Sequence, residues 1–254
     1  MDKNLAVVIL AAGKGKRMKS SLPKVLHSLH GRPMVDYVVE ASKSLHPAKI
    51  VVVVGWGADE VKRALEGKGC SFAIQREQLG TAHAAMQAGP ELNDFKGDIL
   101  ILCGDVPLIR PQSLLRLLEI HRGNLAAISF ITTMLKDPSG YGRVIRAGEK
   151  NSPEGKVCAI REEKDASTEE KEIREINSGI YCMGKEFFLK NIGKIDCSNK
   201  QGEYYLTDLV EIAVKGPLPV HAFMAENPLE VLGINTLEEL KKAENALDGK
   251  ASFS

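Results

Sequence analysis

This sequence has little of several features that would point to particular classes of protein. Only 5% of its 254 residues are aromatic, and its 34 basic and 33 acidic residues leave a formal net charge of +1. Such a balance gives no general attraction to nucleic acid or to a membrane surface, so any anion site has to be local. We therefore expect small-molecule partners, with no nucleic acid and no membrane among them.

The cysteines and the apolar runs give an expectation for the compartment. The five cysteines are odd in number and form no C-x-x-C pair, which argues against a disulfide framework and against a zinc site. The first apolar run, residues 5–12, ends in Gly-Lys rather than at a small-residue cleavage site, and no run approaches the length of a membrane span. We expect a mature cytoplasmic protein with reduced thiols.

The first half of the chain alternates short apolar runs with helical patterns. The runs cover 5–10, 49–55, 70–75 and 98–104, and the helical patterns cover 33–45, 59–67, 81–89 and 110–123. Continuous apolar runs of this length are typical of parallel strands that are buried on both faces of a sheet. The alternation predicts an α/β fold with a Rossmann-like, doubly wound mixed sheet.

From residue 124 onward the regular alternation of predicted strands and helices stops. Strand-like segments at 124–135, 141–148, 156–163 and 175–184 have no long helix between them, and helical patterns return at 204–216 and 236–247 around a strand at 220–225. Consecutive strands without crossover helices favour antiparallel pairing. We therefore predict an inserted antiparallel β portion.

A glycine-rich loop that carries positive charge follows the first strand, with the sequence AAGKGKRM at residues 11–18. Ligands of open α/β sheets bind beyond the carboxyl ends of the strands, and Gly13 and Gly15 let the backbone approach an anion. No G-x-x-x-x-G-K-[ST] loop is present, and Met18 stands where a dinucleotide fingerprint needs its third glycine. The alternatives are a phosphate site of another kind and a surface turn with solvated lysines.

A carboxylate, Asp105, follows the fourth predicted strand in the stretch CGDVPL. Before Pro107 it is compatible with an ordinary turn or a cap. It also falls at the same sheet edge as the glycine loop, where a carboxylate beside phosphates holds Mg²⁺. The two features together predict phosphate chemistry with a metal.

Eight motifs, in their order and spacing, resemble the sugar-1-phosphate nucleotidyltransferases, and most closely the N-acetylglucosamine-1-phosphate uridylyltransferase branch of that family. They are LAAGKGKRM with LPKVL, QLGTAHA, GDVPL, YGR, EEKDA, INSGIY, GEYYLTD and GINT, and they span residues 5 to about 245. The resemblance implies the fold of nucleotide-diphospho-sugar transferases. It also implies Mg²⁺-dependent transfer of UMP from UTP to N-acetyl-α-D-glucosamine 1-phosphate, which gives pyrophosphate and UDP-N-acetylglucosamine for cell-wall precursors.

The resemblance further implies roles for matching residues, although each residue taken alone also suits an ordinary structural role. Arg17 and Lys24 would be catalytic through the phosphates, Gln75 would read the uracil edge, and Asp105 and Asn235 would hold the metal. The implied nucleotide-binding residues are Leu10, Ala11, Ala12, Gly13, Lys24, Gln75, Gly80 and Thr81, and the implied sugar-phosphate-binding residues are Gly142, Glu162, Asn177, Tyr205 and Thr207. The chain departs from the family pattern at Lys16 and Cys103, where relatives usually have a small hydroxyl residue and a tyrosine.

The resemblance also gives an expectation for domain organisation. Residues 1–254 would form one nucleotidyltransferase domain, with a nucleotide-binding part at about 1–123, a sugar-phosphate-binding part at about 124–230 and a C-terminal helix at about 231–254. Longer relatives continue into a hexapeptide-repeat β-helix that carries an acetyltransferase site and forms trimers. No such repeat follows residue 230, so we expect that domain to be absent and the chain to be a monomer or a weak oligomer.

Two other functions stay open at this point. One is a nucleotidyltransferase for another base or another sugar 1-phosphate, since a few pocket contacts decide specificity. The other is a non-catalytic sugar-nucleotide-binding protein on the same fold, since a fold does not fix a function.

Overall fold

A computed structural model describes residues 2–248, which are arranged around one mixed β-sheet. The strands are β1 (Asp2–Ala11), β2 (Ser28–Leu29), β3 (Arg32–Pro33), β4 (Pro47–Val54), β5 (Ser71–Ile74), β6 (Asp98–Cys103), β7 (Ile128–Met134), β8 (Arg143–Arg146), β9 (Val157–Arg161), β10 (Glu175–Gly184) and β11 (Val220–Met224). The helices are α1 (Met34–Lys43), α2 (Ala58–Ala64), α3 (Thr81–Met86), α4 (Pro111–Gly123), α5 (Thr168–Lys171), α6 (Lys185–Asn191), α7 (Asp208–Lys215) and α8 (Leu237–Leu247). Met1 and residues 249–254, which end the predicted C-terminal part, lie outside the described residues.

Strand β1 is the centre of the fold because both of its faces are buried. Val7 and Ile9 point into a core that includes apolar residues of α1, α2 and α4. Ala6 and Val8 point into a second core, which includes apolar residues of α3, α6 and α7. Alternate side chains of a strand face opposite sides of the sheet, so a continuous apolar run serves both cores. The doubly wound arrangement that the sequence predicts is confirmed.

The strand order is β11, β7, β10, β6, β1, β4, β5. Strands β6, β1, β4 and β5 are parallel to one another, as their apolar runs predict. Strand β10 is antiparallel to both β6 and β7, and β11 is parallel to β7. The second half of the chain therefore extends the same sheet, and only the β8–β9 hairpin lies off its main path.

Two local elements differ from the sequence-based expectation. The helix α6 occupies a stretch to which the sequence analysis assigns no helix, and α5 is a single turn. Phe188 of α6 is buried in the second core, so tertiary packing stabilises a helix that is too short for a clear periodic pattern. None of the helices within residues 2–248 has the length and apolar character needed to cross a bilayer.

A buried ion pair ties the β8–β9 hairpin to the main sheet. Arg146 donates from Nε and Nη2 to the two carboxylate oxygens of Glu175 at 2.6 and 2.7 Å, and from Nη1 to the carbonyl of Gly155 at 2.8 Å. The two side chains are only 11% and 3% exposed. A bidentate contact of this kind pairs the two charges and also fixes the relative orientation of the two side chains.

We expect Glu175→Ala to lower the free energy of unfolding by about 3 to 5 kcal/mol, because it leaves the Arg146 charge buried without its partner. Urea titration measures the change. The matched control is Glu172→Ala, which removes the partner of Lys150 in an ion pair of 2.6 Å whose side chains are 68% and 41% exposed. That change should cost less than about 1 kcal/mol, and equal losses for the two variants would contradict the prediction.

Candidate functional site

A cleft of about 660 Å³ opens at the carboxyl ends of β1, β5 and β6. This is the edge at which open α/β sheets bind their ligands. The residues that line it include all those predicted for the nucleotide and the metal, namely Leu10, Ala11, Ala12, Gly13, Arg17, Lys24, Gln75, Gly80, Thr81, Asp105 and Asn235. The structure thus brings these residues together, while their roles stay predictions.

The glycine loop passes directly from β1 into a short 3₁₀ turn at Lys16–Met18. Met18 is buried and anchors the turn, whereas Lys14, Lys16 and Arg17 are exposed at the cleft. Gly15 has a φ of 58°, and a β-carbon at this position would overlap the Cβ of Lys24. The loop therefore needs glycine at 15 for its conformation and for its close packing on Lys24.

We expect Gly15→Ala to destabilise the chain by about 1 to 3 kcal/mol, from the left-handed backbone and the overlap with Lys24. Gly13→Ala is the control, because a β-carbon at Gly13 would have no atom of the described residues within 4 Å. Its melting temperature should stay close to that of the unmodified protein. A thermal melt of both variants checks the difference, and equal stability of the two would show that the loop conformation is not as described.

Four charged or polar side chains meet at one end of the cleft. The Lys24 ammonium forms an ion pair with Asp105 and donates to Oδ1 of Asn235 at 2.6 Å. Arg17 donates from Nη2 to the same oxygen at 2.8 Å. The end of β6 and the start of α8 therefore converge on cations of the glycine loop and of the turn that follows it.

Backbone contacts hold Asn235 in this position. The N–H of Ile234 donates to the carbonyl of Asp105 at 2.9 Å, which joins the two segments directly. Asn235 donates from its backbone to Glu239 at 2.5 Å and from Nδ2 to the carbonyl of Gly233 at 2.9 Å. Its Oδ1 is thereby turned toward the cations. The structure thus brings Asp105 and Asn235 together, while their role as metal ligands stays a prediction.

The oxygen atoms of Asp105 and Asn235 fit a hard divalent cation. Both side chains already bind a single positive charge, the Lys24 ammonium, so their oxygens converge on one position for a cation. Within residues 2–248 no three His, Cys, Asp or Glu side chains are grouped so that they could hold a metal ion. A cation that takes only one or two protein ligands and completes its shell with phosphate oxygens and water, as Mg²⁺ does, suits this donor set.

The opposite end of the cleft is built around Gln75, directly after β5. Its side chain is buried, and its Nε2 donates to the carbonyl of Gly80 at 3.2 Å and lies 3.0 Å from Nδ1 of His83. Gly80 has a φ of 114°, and a β-carbon there would lie 2.5 Å from the carbonyl oxygen of Tyr204. Close packing of the segment around Tyr204 thus fixes the backbone that receives Gln75.

The residues predicted for the sugar phosphate lie outside the lining of this cleft. Glu162 and Tyr205 line a second cavity of about 170 Å³, and Thr207 donates to Glu162 at 3.1 Å. Gly142 accepts a backbone hydrogen bond from Asn177 at 2.9 Å. The five residues therefore belong to the neighbourhood of β8, β9, β10 and the start of α7, and their predicted role is not tested by this geometry.

Several of these side chains are already engaged within the protein. The Tyr205 hydroxyl donates to Asp165 at 3.0 Å and accepts from Gln201 at 2.7 Å. Asn177 donates from Nδ2 to the hydroxyl of Tyr181 at 2.6 Å. These contacts hold both side chains in place, which is compatible with an ordinary structural role for each. Their contacts with a ligand stay predictions.

The second cavity is lined by several acidic side chains, and burial disfavours the charged form of two of them, Glu162 and Asp208. Burial raises the pKa of Glu162, and the nearby carboxylates of Asp208 and Asp165 add to the effect, while the Thr207 hydrogen bond opposes it. Burial and the neighbouring Glu211 raise the pKa of Asp208 to about 6. Near neutral pH the cavity therefore resists further negative charge.

The cleft lining also contains residues to which the sequence analysis assigns no role. They are Lys14, Lys16, Val25, Gln78, Ala84, Cys103, Gln201 and Glu203. The two lysines of the glycine loop, and Glu203 within GEYYLTD, lie inside motifs that could have indicated them, whereas Gln201 carries no local signal. Cys103 donates from Sγ to the carbonyl of Gly179 at 3.5 Å, and burial raises the pKa of its thiol to about 12.

Comparison with known proteins shows which family the chain is similar to. Residues 7–149 match the family of the MobA-like NTP transferase domain. The chain is 53% identical over 244 residues to a protein of Pelotomaculum thermopropionicum named "Bifunctional protein GlmU", a match that covers 96% of this chain and 52% of that protein. It is 45% identical over 246 residues to a protein of the same name from Desulfotalea psychrophila, with 97% and 71% covered. The chain thus spans about half the length of the first of these relatives.

The fold has a counterpart among solved structures. A UDP-glucose pyrophosphorylase, solved in complex with UDP-glucose, matches with a TM-score of 0.72 over 97% of this chain and 99% of that one. The sequence identity is 16%, so the likeness is one of fold. The predicted fold class of nucleotide-diphospho-sugar transferases is confirmed.

Proposed function

The chain belongs to the MobA-like NTP transferase family, and from that premise we propose that it transfers UMP from UTP to N-acetyl-α-D-glucosamine 1-phosphate, with release of pyrophosphate. The observation that carries the proposal is the convergence of Arg17, Lys24, Asp105 and Asn235 at one end of the cleft. Two relatives of the chain, which are named as bifunctional GlmU proteins, match nearly the whole chain and support the same reaction.

The reaction suits the residue types at this end of the cleft. A sugar 1-phosphate is already anionic at neutral pH, so its attack on a phosphorus atom needs no strong general base. The difficulty is to bring two anions together and to hold them in line, which calls for positive charge and positioning. Arg17 and Lys24 would bind and orient the phosphates. Asp105 and Asn235 would hold Mg²⁺, which when bound neutralises the charge that develops at the α-phosphate.

The opposite end of the cleft would receive the base. Both N–H groups of the Gln75 amide face acceptors inside the protein, so its Oε1 is the atom left for a ligand. Uracil presents an N3–H donor on its edge, whereas cytosine presents an acceptor at the same position. This arrangement therefore supports UTP as the nucleotide.

The sugar would lie toward the second cavity. Carboxylates such as Glu162 accept hydrogen bonds from hydroxyl groups, and the grouping of Glu162 with Asp165 and Asp208 makes the cavity unfavourable for a phosphate. The phosphate of the acceptor would therefore remain at the cationic end of the cleft, with the sugar ring directed away from it.

We expect the purified chain to favour UTP over CTP by a factor of about a hundred or more, because the wrong base leaves buried polar groups unpaired. Pyrophosphate release across a panel of nucleoside triphosphates and sugar phosphates measures this preference. Equal use of UTP and CTP would contradict the assignment of the base. Binding of UDP-N-acetylglucosamine without any turnover would indicate a non-catalytic protein instead.

We expect Asp105→Ala to lower turnover by at least about a hundredfold, or roughly 2.7 kcal/mol in the barrier, because charge at the phosphates is left uncompensated. Asn235→Ala should do less, since water can replace a neutral ligand. Turnover measured against Mg²⁺ concentration, alongside a melting curve for each variant, gives the result.

If Asp105 is only a turn or cap residue, its loss should cost about 1 kcal/mol of stability and leave turnover per folded molecule unchanged. Glu172→Ala serves as the control, because it removes an exposed carboxylate far from the cleft lining. An Asp105→Ala protein with the turnover and the Mg²⁺ dependence of that control would show that the metal has been misplaced.

A further inference from the structure

The orientation of the Gln75 side chain is set by two acceptors. The carbonyl of Gly80 can only accept, so the group that faces it at 3.2 Å is the amide nitrogen. The second N–H of that nitrogen is directed at Nδ1 of His83 at 3.0 Å. Nδ1 must then be the acceptor, which places the proton of the neutral imidazole on Nε2. The amide oxygen receives no hydrogen bond from any residue in the range 2–248.

Both acceptors are held by the surrounding fold. Gly80 packs so closely on the backbone of Tyr204 that there is no room for a β-carbon, and its carbonyl also accepts from the backbone of Ala84 at 3.1 Å. His83 is half-buried on α3, and its ring centroid lies 6.3 Å from that of Tyr204. Tyr204 is itself fixed through backbone bonds with Leu79 and Ala82 at 2.8 and 2.9 Å. The pair of acceptors is therefore present before any ligand binds.

We propose that His83 is a positioning residue for base selection, which accepts a hydrogen bond from Gln75 and so keeps the amide oxygen of Gln75 directed at the base. This inference rests on the proposed function and deepens it. Rotation of the amide by 180° would present its NH₂ group to the cleft, which matches the acceptor at N3 of cytosine rather than the donor of uracil. That rotation would set the amide oxygen against the Gly80 carbonyl and, in the tautomer with its proton on Nε2, against the lone pair of His83 Nδ1, so both hydrogen bonds of the amide would be lost.

The test compares variants that keep or remove the acceptor. His83→Phe retains a ring against Tyr204 but offers no acceptor, and His83→Leu is a second variant of the same kind. His83→Asn places a side-chain oxygen close to the position of Nδ1. Gln87→Ala is the control for disturbance of α3, since the side chain of Gln87 donates to the backbone carbonyl of His83, at 3.0 Å, and Gln87 lies outside the cleft lining.

For each variant, kcat and KM are measured with UTP and with CTP, and a melting curve gives the folded fraction. We expect the UTP-to-CTP ratio of kcat/KM to fall about tenfold or more in the Phe and Leu variants, mainly through a higher KM for UTP. The Asn variant should keep the ratio within about threefold of the unmodified chain, and Gln87→Ala should leave it unchanged.

The possible failures are distinguishable. If the unmodified chain does not prefer UTP, the proposed function is wrong, and this inference falls with it before any variant is considered. If the unmodified chain prefers UTP and the Phe and Leu variants lose activity equally with both nucleotides, His83 has only a packing role and the inference alone is overturned. An Asn variant that loses the preference as fully as the Phe variant would also overturn it.

Discussion

The contact of the Lys24 ammonium with Asp105 and Asn235 is the interaction on which the cleft depends. It joins three segments that are remote in sequence, since Lys24 and Asn235 are 211 positions apart. The Lys24 ammonium and the Asp105 carboxylate neutralise each other, and the neutral amide of Asn235 adds an acceptor for the ammonium. The loops at the sheet edge are therefore assembled by the same groups that are proposed to handle phosphates. A phosphate that binds Arg17 or Lys24 would have to compete with these contacts.

The central part of the fold follows directly from the sequence. The run at 5–10 is apolar at every position because alternate side chains of β1 fill two separate cores, and local patterning is enough to predict that. The position of Asp105 at the sheet edge follows as well, because parallel strands end their carboxyl sides together. These two facts together predict that the glycine loop and the Asp105 carboxylate lie at the same edge of the sheet.

The rest depends on contacts that local patterning does not contain. Strands β7 and β10 fall in the stretch that the sequence predicts as an inserted antiparallel portion, yet together with β11 they extend the main sheet, because pairing partners far apart in sequence leave no local signal. The side-chain contacts of Gln75 are of the same kind. The family resemblance implies a role for Gln75 in reading a base, but the direction of its amide depends on the Gly80 backbone and on the ring of His83.

The segment from Tyr204 to Thr207 serves two cavities at once. Tyr204 packs against Gly80 at the end of the cleft that is built around Gln75, and Thr207 binds Glu162 in the second cavity. Leu206 donates its backbone N–H to Thr81 at 3.0 Å, so the segment is tied to the cleft along its length. Any ordering of this segment by a ligand in one cavity is shared with the other, and thermodynamic linkage makes the effect reciprocal. Two ligands that never touch each other would then still influence each other's affinity by the same factor.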